Sequence, residues 1–236
     1  MPVIDTLYRD GDVALRWLPG RSARLVVVFT GMHGRMAGET HAEFAASASM
    51  RGENDVLFVT DRRASWYAAP GLWRKVVRFV KEIRADRGPG EVVTLGNSMG
   101  GYGALLLPRD VHVARAIAFA PQATMDRGLL DDGRWPDVTG RWGALPERNV
   151  GDSFARTRTQ YYVLAGGDCA EDMAHLALLP EARRVHRYVL PGARHNLARR
   201  LKAAELLADV VAAILKGRKA RVETLLDGFG GGTAHV

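Results

Sequence analysis

The residues most suited to catalysis lie in the sequence GNSMG, at positions 96–100. They follow a mostly β-branched run at 92–95 and precede an apolar stretch that favours a helix, so they match the pattern G-x-S-x-G between a strand and a helix. Small residues two positions before and after the serine permit a sharp turn that exposes its side chain. The pattern predicts that Ser98 is a nucleophile and that the Met99 N–H, at a helix N-terminus, faces the oxyanion formed there. The alternative is that the glycines only permit a tight strand–helix junction.

A nucleophilic serine needs a base, and the base needs a carboxylate that orients it. In sheets of this kind the order along the chain is serine, acid, histidine. Of the seven histidines, His195 fits this order best, because it follows the last predicted strand and precedes the final predicted helix. Loops at the carboxyl ends of parallel strands are where such sheets present catalytic groups. We therefore predict that His195 is the general base.

The acid is expected on the loop GGDCAED at 166–172, after the predicted strand that ends at Ala165. Asp168 is the preferred candidate, because it stands three positions beyond the last strand residue. Asp172 is the main alternative, although it also suits the N-cap of a helix that begins near the next residue. Asp126, which follows the preceding strand, is a third candidate.

Two further groups of residues are predicted to surround the nucleophile. The loop GMHG at 31–34 follows an apolar strand, and the Met32 N–H is the natural second donor to the oxyanion. His33 in this loop lacks spaced Cys, Asp or His partners, so we interpret it as a polar loop residue and expect no metal site. Trp66 and Tyr67 follow the next strand, where they either border the substrate pocket or pack at its rim.

Composition limits the classes of function. The chain has 236 residues, 47% apolar and 25% charged, as expected of an ordinary globular domain. The net charge of +7 is concentrated between 183 and 221, which suits either attraction of an anionic substrate or a solvated basic surface. No nucleic-acid motif, signal-peptide pattern or apolar run of about 18 residues accompanies it. The single cysteine, Cys169, is compatible with a reducing compartment, and we expect a cytoplasmic protein without nucleic-acid partners or a membrane span.

The order of predicted elements indicates an α/β fold. Predicted strands, recognised as short apolar runs, occupy residues 25–30, 56–60, 92–95, 111–120, 161–165 and 187–190. A helix at 72–85 and a long amphipathic helix at 196–215 alternate with them, which predicts a mostly parallel sheet with helices on both faces. Residues 13–18 would add an antiparallel pair at one edge. We expect one domain over 1–220 and a flexible C-terminal tail over 221–236.

Residues 121–158 interrupt this alternation. They are rich in Asp, Gly, Arg, Trp and Pro and have weak periodicity. An insertion of that length in a compact domain is usually a functional loop or a small lid. We predict a small, mobile cover over the active site in which Trp135 and Trp142 contact the substrate. The alternative is a structural excursion packed against one edge of the sheet.

Over residues 20–216 the chain resembles the α/β-hydrolase superfamily. The elbow sequence GNSMGGYGAL is the most specific part of this resemblance. The segments FVTDRRASWY at 58–67 and FAPQ at 119–122 further resemble a group of poorly characterised bacterial hydrolases, some of which occur with polysaccharide or glycoconjugate systems. The resemblance implies the α/β-hydrolase fold, a Ser–His–Asp triad and esterase-type chemistry, with no metal or organic cofactor.

The chain departs from the pattern of that superfamily at two places. Thr-Gly-Met at 30–32 stands where many members have His-Gly, a change of little cost because the donor is a backbone group. Arg194 precedes His195 where many members have glycine, which bears directly on the assignment of the base.

Three functions remain open at this point. The first is a serine hydrolase that cleaves an ester, thioester or amide through an acyl-enzyme, with a small-molecule, acyl or glycan ester as substrate. The second is an acyltransferase on the same triad, in which a sugar or lipid hydroxyl replaces water. The third is a binding module that retains only the fold. The sequence leaves the oligomeric state open.

Overall fold

A nine-stranded sheet forms the centre of the computed structural model, which describes residues 3–32, 42–88, 90–229 and 234–235. Its strands are β1 (Asp5–Arg9), β2 (Val13–Leu18), β3 (Leu25–Phe29), β4 (Asp55–Asp61), β5 (Val92–Asn97), β6 (Arg115–Phe119), β7 (Gln160–Gly166), β8 (Val185–Leu190) and β9 (Ala234–His235). The helices are α1 (Ala45–Ser49), α2 (Leu72–Arg87), α3 (Met99–Leu106), α4 (Val138–Trp142), α5 (Ala170–Ala177), α6 (Leu197–Ala203), α7 (Leu207–Leu215) and α8 (Lys219–Asp227). Within the described ranges, none of these helices is both long and apolar enough to cross a membrane.

The strands lie in the order β1-β2-β4-β3-β5-β6-β7-β8-β9. The six from β4 to β8 pair in parallel, whereas β1, β2 and β9 pair antiparallel at the two edges. This arrangement confirms the predicted α/β class and the antiparallel pair at the N-terminal edge. Parallel pairing places the carboxyl ends of β5, β7 and β8 at the same end of the sheet, where the loops that follow them can meet.

The central strands are mainly apolar because both faces of the sheet are covered. On β3, Val27 and Phe29 belong to the hydrophobic cluster that includes residues of α2, α3 and α5 on one face, whereas Val26 and Val28 belong to the cluster that includes residues of α7 and α8 on the other. Side chains alternate across a strand, so a strand buried on both faces must be a continuous apolar run. The rigid sheet that results holds the loops at its carboxyl edge.

The long helix predicted over 196–215 is wrong in one respect, because the structure divides it into α6 and α7. The break falls at Glu205, whose φ of 59° lies in the left-handed region and is incompatible with a continuous right-handed helix. The apolar periodicity that predicted one helix continues through the break, since Leu201 and Leu207 both face the core.

Two predicted boundaries are also corrected. The strand predicted over 111–120 occupies only β6, because a 3₁₀ turn at Leu107–Arg109 and an irregular segment precede it. The tail predicted over 221–236 is wrong for its first part, which belongs to α8. Val222 and Leu226 of α8 are fully buried, because their spacing of four residues places both on the face that meets the sheet.

Candidate active site

Ser98 occupies a sharp turn between β5 and α3, as the sequence pattern predicts. Its φ of 55° and ψ of −122° are unusual for a residue with a side chain, and its N–H donates to the Phe119 carbonyl at 2.9 Å. The flanking glycines are required by close approach, because a Cβ on Gly96 would collide with the carbonyl of Gly100. The turn therefore holds Ser98 at the carboxyl end of the sheet in one strained conformation.

The structure brings Ser98, His195 and Asp172 into one hydrogen-bonded chain. His195 Nε2 lies 3.0 Å from Ser98 Oγ, and His195 Nδ1 lies 2.8 Å from Asp172 Oδ1. With the Nδ1–H donating to the carboxylate, Nε2 is free to accept the serine proton. This is the geometry in which a neutral imidazole can act as a general base toward the serine.

The preferred acid, Asp168, is not the carboxylate that meets His195. Asp168 is exposed in the turn after β7, and its Oδ1 accepts the Gly192 N–H at 3.0 Å. Asp172 is the third residue of α5, one helical turn further along, and this turn carries its side chain back toward the loop of His195. Asp126, the third candidate, pairs instead with Arg148.

His195 and Arg134 together favour the ionised form of the Asp172 carboxylate. Burial by itself would raise the pKa of Asp172, but the hydrogen bonds and charges of His195 and Arg134 outweigh it and hold the pKa below its usual value. Arg134 Nη1 donates to the same Oδ1 at 3.0 Å. The carboxylate is therefore available as an anion to orient the imidazole and to stabilise its protonated form.

Gln122 is a buried neighbour of the nucleophile that sequence reasoning did not identify. Its Oε1 accepts the Trp66 indole N–H at 3.2 Å and lies 3.3 Å from Ser98 Oγ, which can donate to it. The serine hydroxyl thus has His195 as one acceptor and Gln122 as a second. Gln122 belongs to the FAPQ segment, so the resemblance supplied the only signal that this position contributes to the site.

Trp66 and Tyr67 support the site from within the core and are not among the residues that line the cavity at Ser98. Tyr67 packs edge-on against Phe29 at 5.6 Å between ring centroids, and Trp66 is linked to Ser98 through Gln122. The prediction that this pair borders the pocket is therefore corrected. Both have positive φ, because the loop folds back to place several N–H groups on the buried Asp61 carboxylate.

A cavity of about 640 Å³ opens at the nucleophile. Its residues come from the loop after β3, the segment before α1, the elbow, the insertion at 121–158, the loop after β8, α6 and the start of α7. They are Gly31, Met32, Ala42, Glu43, Phe44, Asn97, Ser98, Trp135, His195, Asn196, Ala198, Arg199, Lys202 and Leu207. The Gly31 N–H is already used, since it donates to Glu43 Oε2 at 2.8 Å. Met32 lies at the cavity, and its oxyanion role stays a prediction; His33 lies outside the described residues.

The insertion at 121–158 contributes one side of this cavity through Trp135. The Trp135 ring lies 5.5 Å from the ring of His195, measured between centroids. Trp142 is not part of the cavity wall; it packs partly buried against the core with the guanidinium of Arg141 4.9 Å from its ring. A mobile lid stays a prediction, with Trp135 as its point of contact.

Trp135→Ala is expected to raise KM for esters or change the preferred acyl chain length, because it removes apolar wall beside His195. We expect KM to rise by about three- to tenfold, the usual cost of losing apolar contact with a bound group. Chain-length series of p-nitrophenyl esters measure this change. Trp142→Ala is the matched control and should leave chain-length preference unchanged; equal changes in both variants would contradict a substrate contact at Trp135.

Comparisons with known proteins identify the fold. No family model matches the chain, and no curated protein matches it. Est1E from Butyrivibrio proteoclasticus matches at 14% identity with a TM-score of 0.65, covering 92% of this chain and 99% of its own. The capsule O-acetyltransferase of Neisseria meningitidis serogroup A matches at 14% identity with a TM-score of 0.64, covering 88% and 93%. An α/β serine hydrolase without a lid from Xanthomonas campestris matches at 15% identity with a TM-score of 0.55, covering 93% and 94%. The chain therefore has the α/β-hydrolase fold.

Proposed function

We propose that this chain, which has the α/β-hydrolase fold, is a serine hydrolase that cleaves an ester, thioester or amide through an acyl-enzyme. The observation that carries the proposal is the chain of hydrogen bonds from Ser98 through His195 to Asp172, at 3.0 and 2.8 Å. The strained backbone conformation of Ser98 supports the proposal, since strained residues persist only where the surrounding structure enforces them and they cluster at active sites. Fold alone does not select a reaction, so the argument depends on the site.

In the proposed first step, Ser98 Oγ attacks the carbonyl carbon of the substrate while His195 Nε2 takes its proton. The Asp172 carboxylate stabilises the resulting imidazolium. The N–H of Met99 and the N–H of Met32 are proposed to donate to the oxyanion of the tetrahedral intermediate. Met99 is the first residue of α3, where backbone N–H groups have no acceptor within the helix.

The acyl-enzyme forms when His195 returns the proton to the leaving group as the bond between the leaving group and the acyl carbon breaks. Water then attacks the acyl group on Ser98 while His195 takes a proton from that water. The acyl carbon–Ser98 Oγ bond breaks, and the same proton restores the serine hydroxyl. Trp135 beside the imidazole excludes bulk water from one side of this exchange.

Reaction with a fluorophosphonate probe tests the proposal directly. The nucleophilic oxygen should displace fluoride, and the added mass should be found on the peptide that contains Ser98. Labelling should be lost in Ser98→Ala and strongly slowed in His195→Ala. A chain that stays unlabelled while folded would favour the alternative of a binding module, since that alternative needs no activated serine.

Acyl transfer is the second candidate function. Two structural observations favour it: the similarity to an O-acetyltransferase, one of whose structures is a variant in complex with CoA, and the cationic wall of the cavity. That wall consists of Arg199 and Lys202 of α6, whose side chains make no ion pair or hydrogen bond within the described part of the chain. Two exposed cations beside the nucleophile would attract the phosphates of an anionic acyl donor.

Removing these cations should separate an anionic donor from a neutral ester. Arg199→Gln and Lys202→Gln are each expected to raise KM for a phosphorylated acetyl thioester by about two- to fivefold, the range for an exposed charge pair. KM for a neutral p-nitrophenyl ester should change little, and added salt should reduce the difference. Lys216→Gln, which changes an exposed lysine outside the cavity, is the matched control.

Equal effects of Arg199→Gln and Lys202→Gln on both substrates would argue against a charged donor. Product analysis with sugar acceptors distinguishes acyl transfer from hydrolysis.

A further inference from the structure

The carboxylate of Asp172 is unusual in sharing one oxygen between two donors. His195 Nδ1 and Arg134 Nη1 both bind Oδ1, at 2.8 and 3.0 Å, and the Asp172 side chain is 1% exposed. A carboxylate this deeply buried needs charge-assisted hydrogen bonds to remain ionised. Arg134 lies in the insertion at 121–158, far from Asp172 in sequence, so its contribution could not be recognised before the fold was known.

The guanidinium of Arg134 is fixed by a second carboxylate. Its Nε and Nη2 donate to the two oxygens of Asp132 at 2.9 and 2.7 Å, a bidentate arrangement that leaves Nη1 directed toward Asp172. Nη1 also lies 3.1 Å from the Cys169 sulfur, and Glu171 stands 4.0 Å away. Planar geometry means that fixing one edge of the guanidinium also fixes the direction of the other.

Asp132 is in turn anchored by a buried histidine. His175 Nε2 lies 3.1 Å from Asp132 Oδ2, and its Nδ1 accepts the Ala123 N–H at 3.3 Å. Because Nδ1 accepts, Nε2 carries the proton and donates to the carboxylate. Burial lowers the pKa of His175 despite the neighbouring carboxylate, so it serves as a neutral anchor on α5.

We infer that Arg134 is a positioning residue of the catalytic site, which holds Asp172 in the orientation that directs His195 toward Ser98. This inference rests on the proposed function. The next residue, Trp135, packs beside the ring of His195, so one dipeptide of the insertion contacts both the acid and the base. The insertion at 121–158 thereby acts on the chemistry through Asp172 as well as on the cavity wall.

Arg134→Met should separate positioning from general stability. We expect kcat to fall by about 10- to 100-fold, the cost of misplacing a reacting group by about 1 Å, while KM changes by less than about twofold. Arg134→Lys keeps the charge without the planar fork and should recover part of kcat. Because Arg134 lowers the pKa of Asp172, its loss should also move the acid limb of the pH profile to higher pH.

The controls distinguish this inference from the proposed function. Arg148→Met removes another arginine–aspartate pair of the insertion and should leave kcat unchanged. Active sites are counted with the fluorophosphonate, so that unfolded protein does not lower the apparent kcat. Unchanged kcat per labelled site in Arg134→Met, with wild-type labelling intact, would overturn the inference alone; an unlabelled wild type would overturn the proposed function as well.

A second variant covers the case in which Arg134→Met does not fold. Asp132→Asn keeps the side-chain volume but weakens the bidentate contact that aims the guanidinium. It is expected to lower kcat by at least about threefold, in the same direction as Arg134→Met and with KM again little changed. A variant that folds and retains wild-type kcat would contradict the role of Arg134.

Discussion

Ser98→Ala is expected to lower kcat by at least about 10³-fold, as expected when the nucleophile of a Ser–His–Asp triad is removed. The substitution removes the oxygen that would form the covalent intermediate and that lies 3.0 Å from His195 Nε2. Initial rates with the best ester of a chain-length series measure the loss. The fold should persist, because alanine fills the same small space at the elbow.

Ser49→Ala provides the matched control for this experiment. Ser49 is a buried serine of α1 whose hydroxyl donates to the Ala46 carbonyl, so its loss tests whether removing any buried hydroxyl affects the rate. Its kcat should stay within about twofold of wild type, since no reacting atom is removed. An unchanged rate in purified, folded Ser98→Ala would show that the nucleophile lies elsewhere.

The sheet and the elbow could be predicted because local patterns determine them. Buried parallel strands must be apolar on both faces, so β3 and β5 stand out in the sequence. The glycines around Ser98 are also a local requirement, since they permit the close approach of β5 and α3. His195 followed from chain order and from its place after the last parallel strand, which the observed topology retains.

The remaining parts of the site depend on contacts between distant segments. Arg134 meets Asp172 across 38 positions, and Gln122 meets Ser98 across 24, so no local pattern relates them. The burial of Trp66 and Tyr67 follows from the way their loop wraps Asp61, a turn with positive φ that no glycine marks. The break at Glu205 was missed for the same reason, because a left-handed residue within an apolar repeat leaves the repeat intact.

The choice between the two aspartates also depends on the direction of the chain after β7. Proximity to the strand end favours Asp168, but helix α5 begins at Ala170 and turns the Asp172 carboxylate inward. Asp168 instead joins two neighbouring loops through the Gly192 N–H. Its role in the structure is therefore to fix the spacing of these loops, whereas Asp172 is the carboxylate in contact with the proposed base.

Asp172→Asn is expected to lower kcat by about 10³- to 10⁴-fold, by analogy with Ser–His–Asp triads in which the acid is replaced by its amide. Asparagine keeps the volume but loses the charge that stabilises the imidazolium. Its NH₂ group can also face His195 Nδ1, which favours the tautomer with the proton on Nε2 and removes the acceptor for the Ser98 proton. Steady-state rates and thermal unfolding should be measured together, because the half-buried Arg134 loses one of its two anionic partners in the same variant and keeps Asp132.

Asp168→Asn is the matched comparison, since it makes the same replacement of a carboxylate by an amide at the other candidate aspartate. Its amide oxygen can still accept the Gly192 N–H, so kcat should stay within about threefold of wild type and unfolding should change little. The reverse pattern, with a large loss only in Asp168→Asn, would mean that His195 changes partner during the reaction. Comparable large losses in both variants would show that the loop held by Asp168 must stay rigid for His195 to reach Ser98, and fluorophosphonate labelling of each variant would locate the defect at the nucleophile.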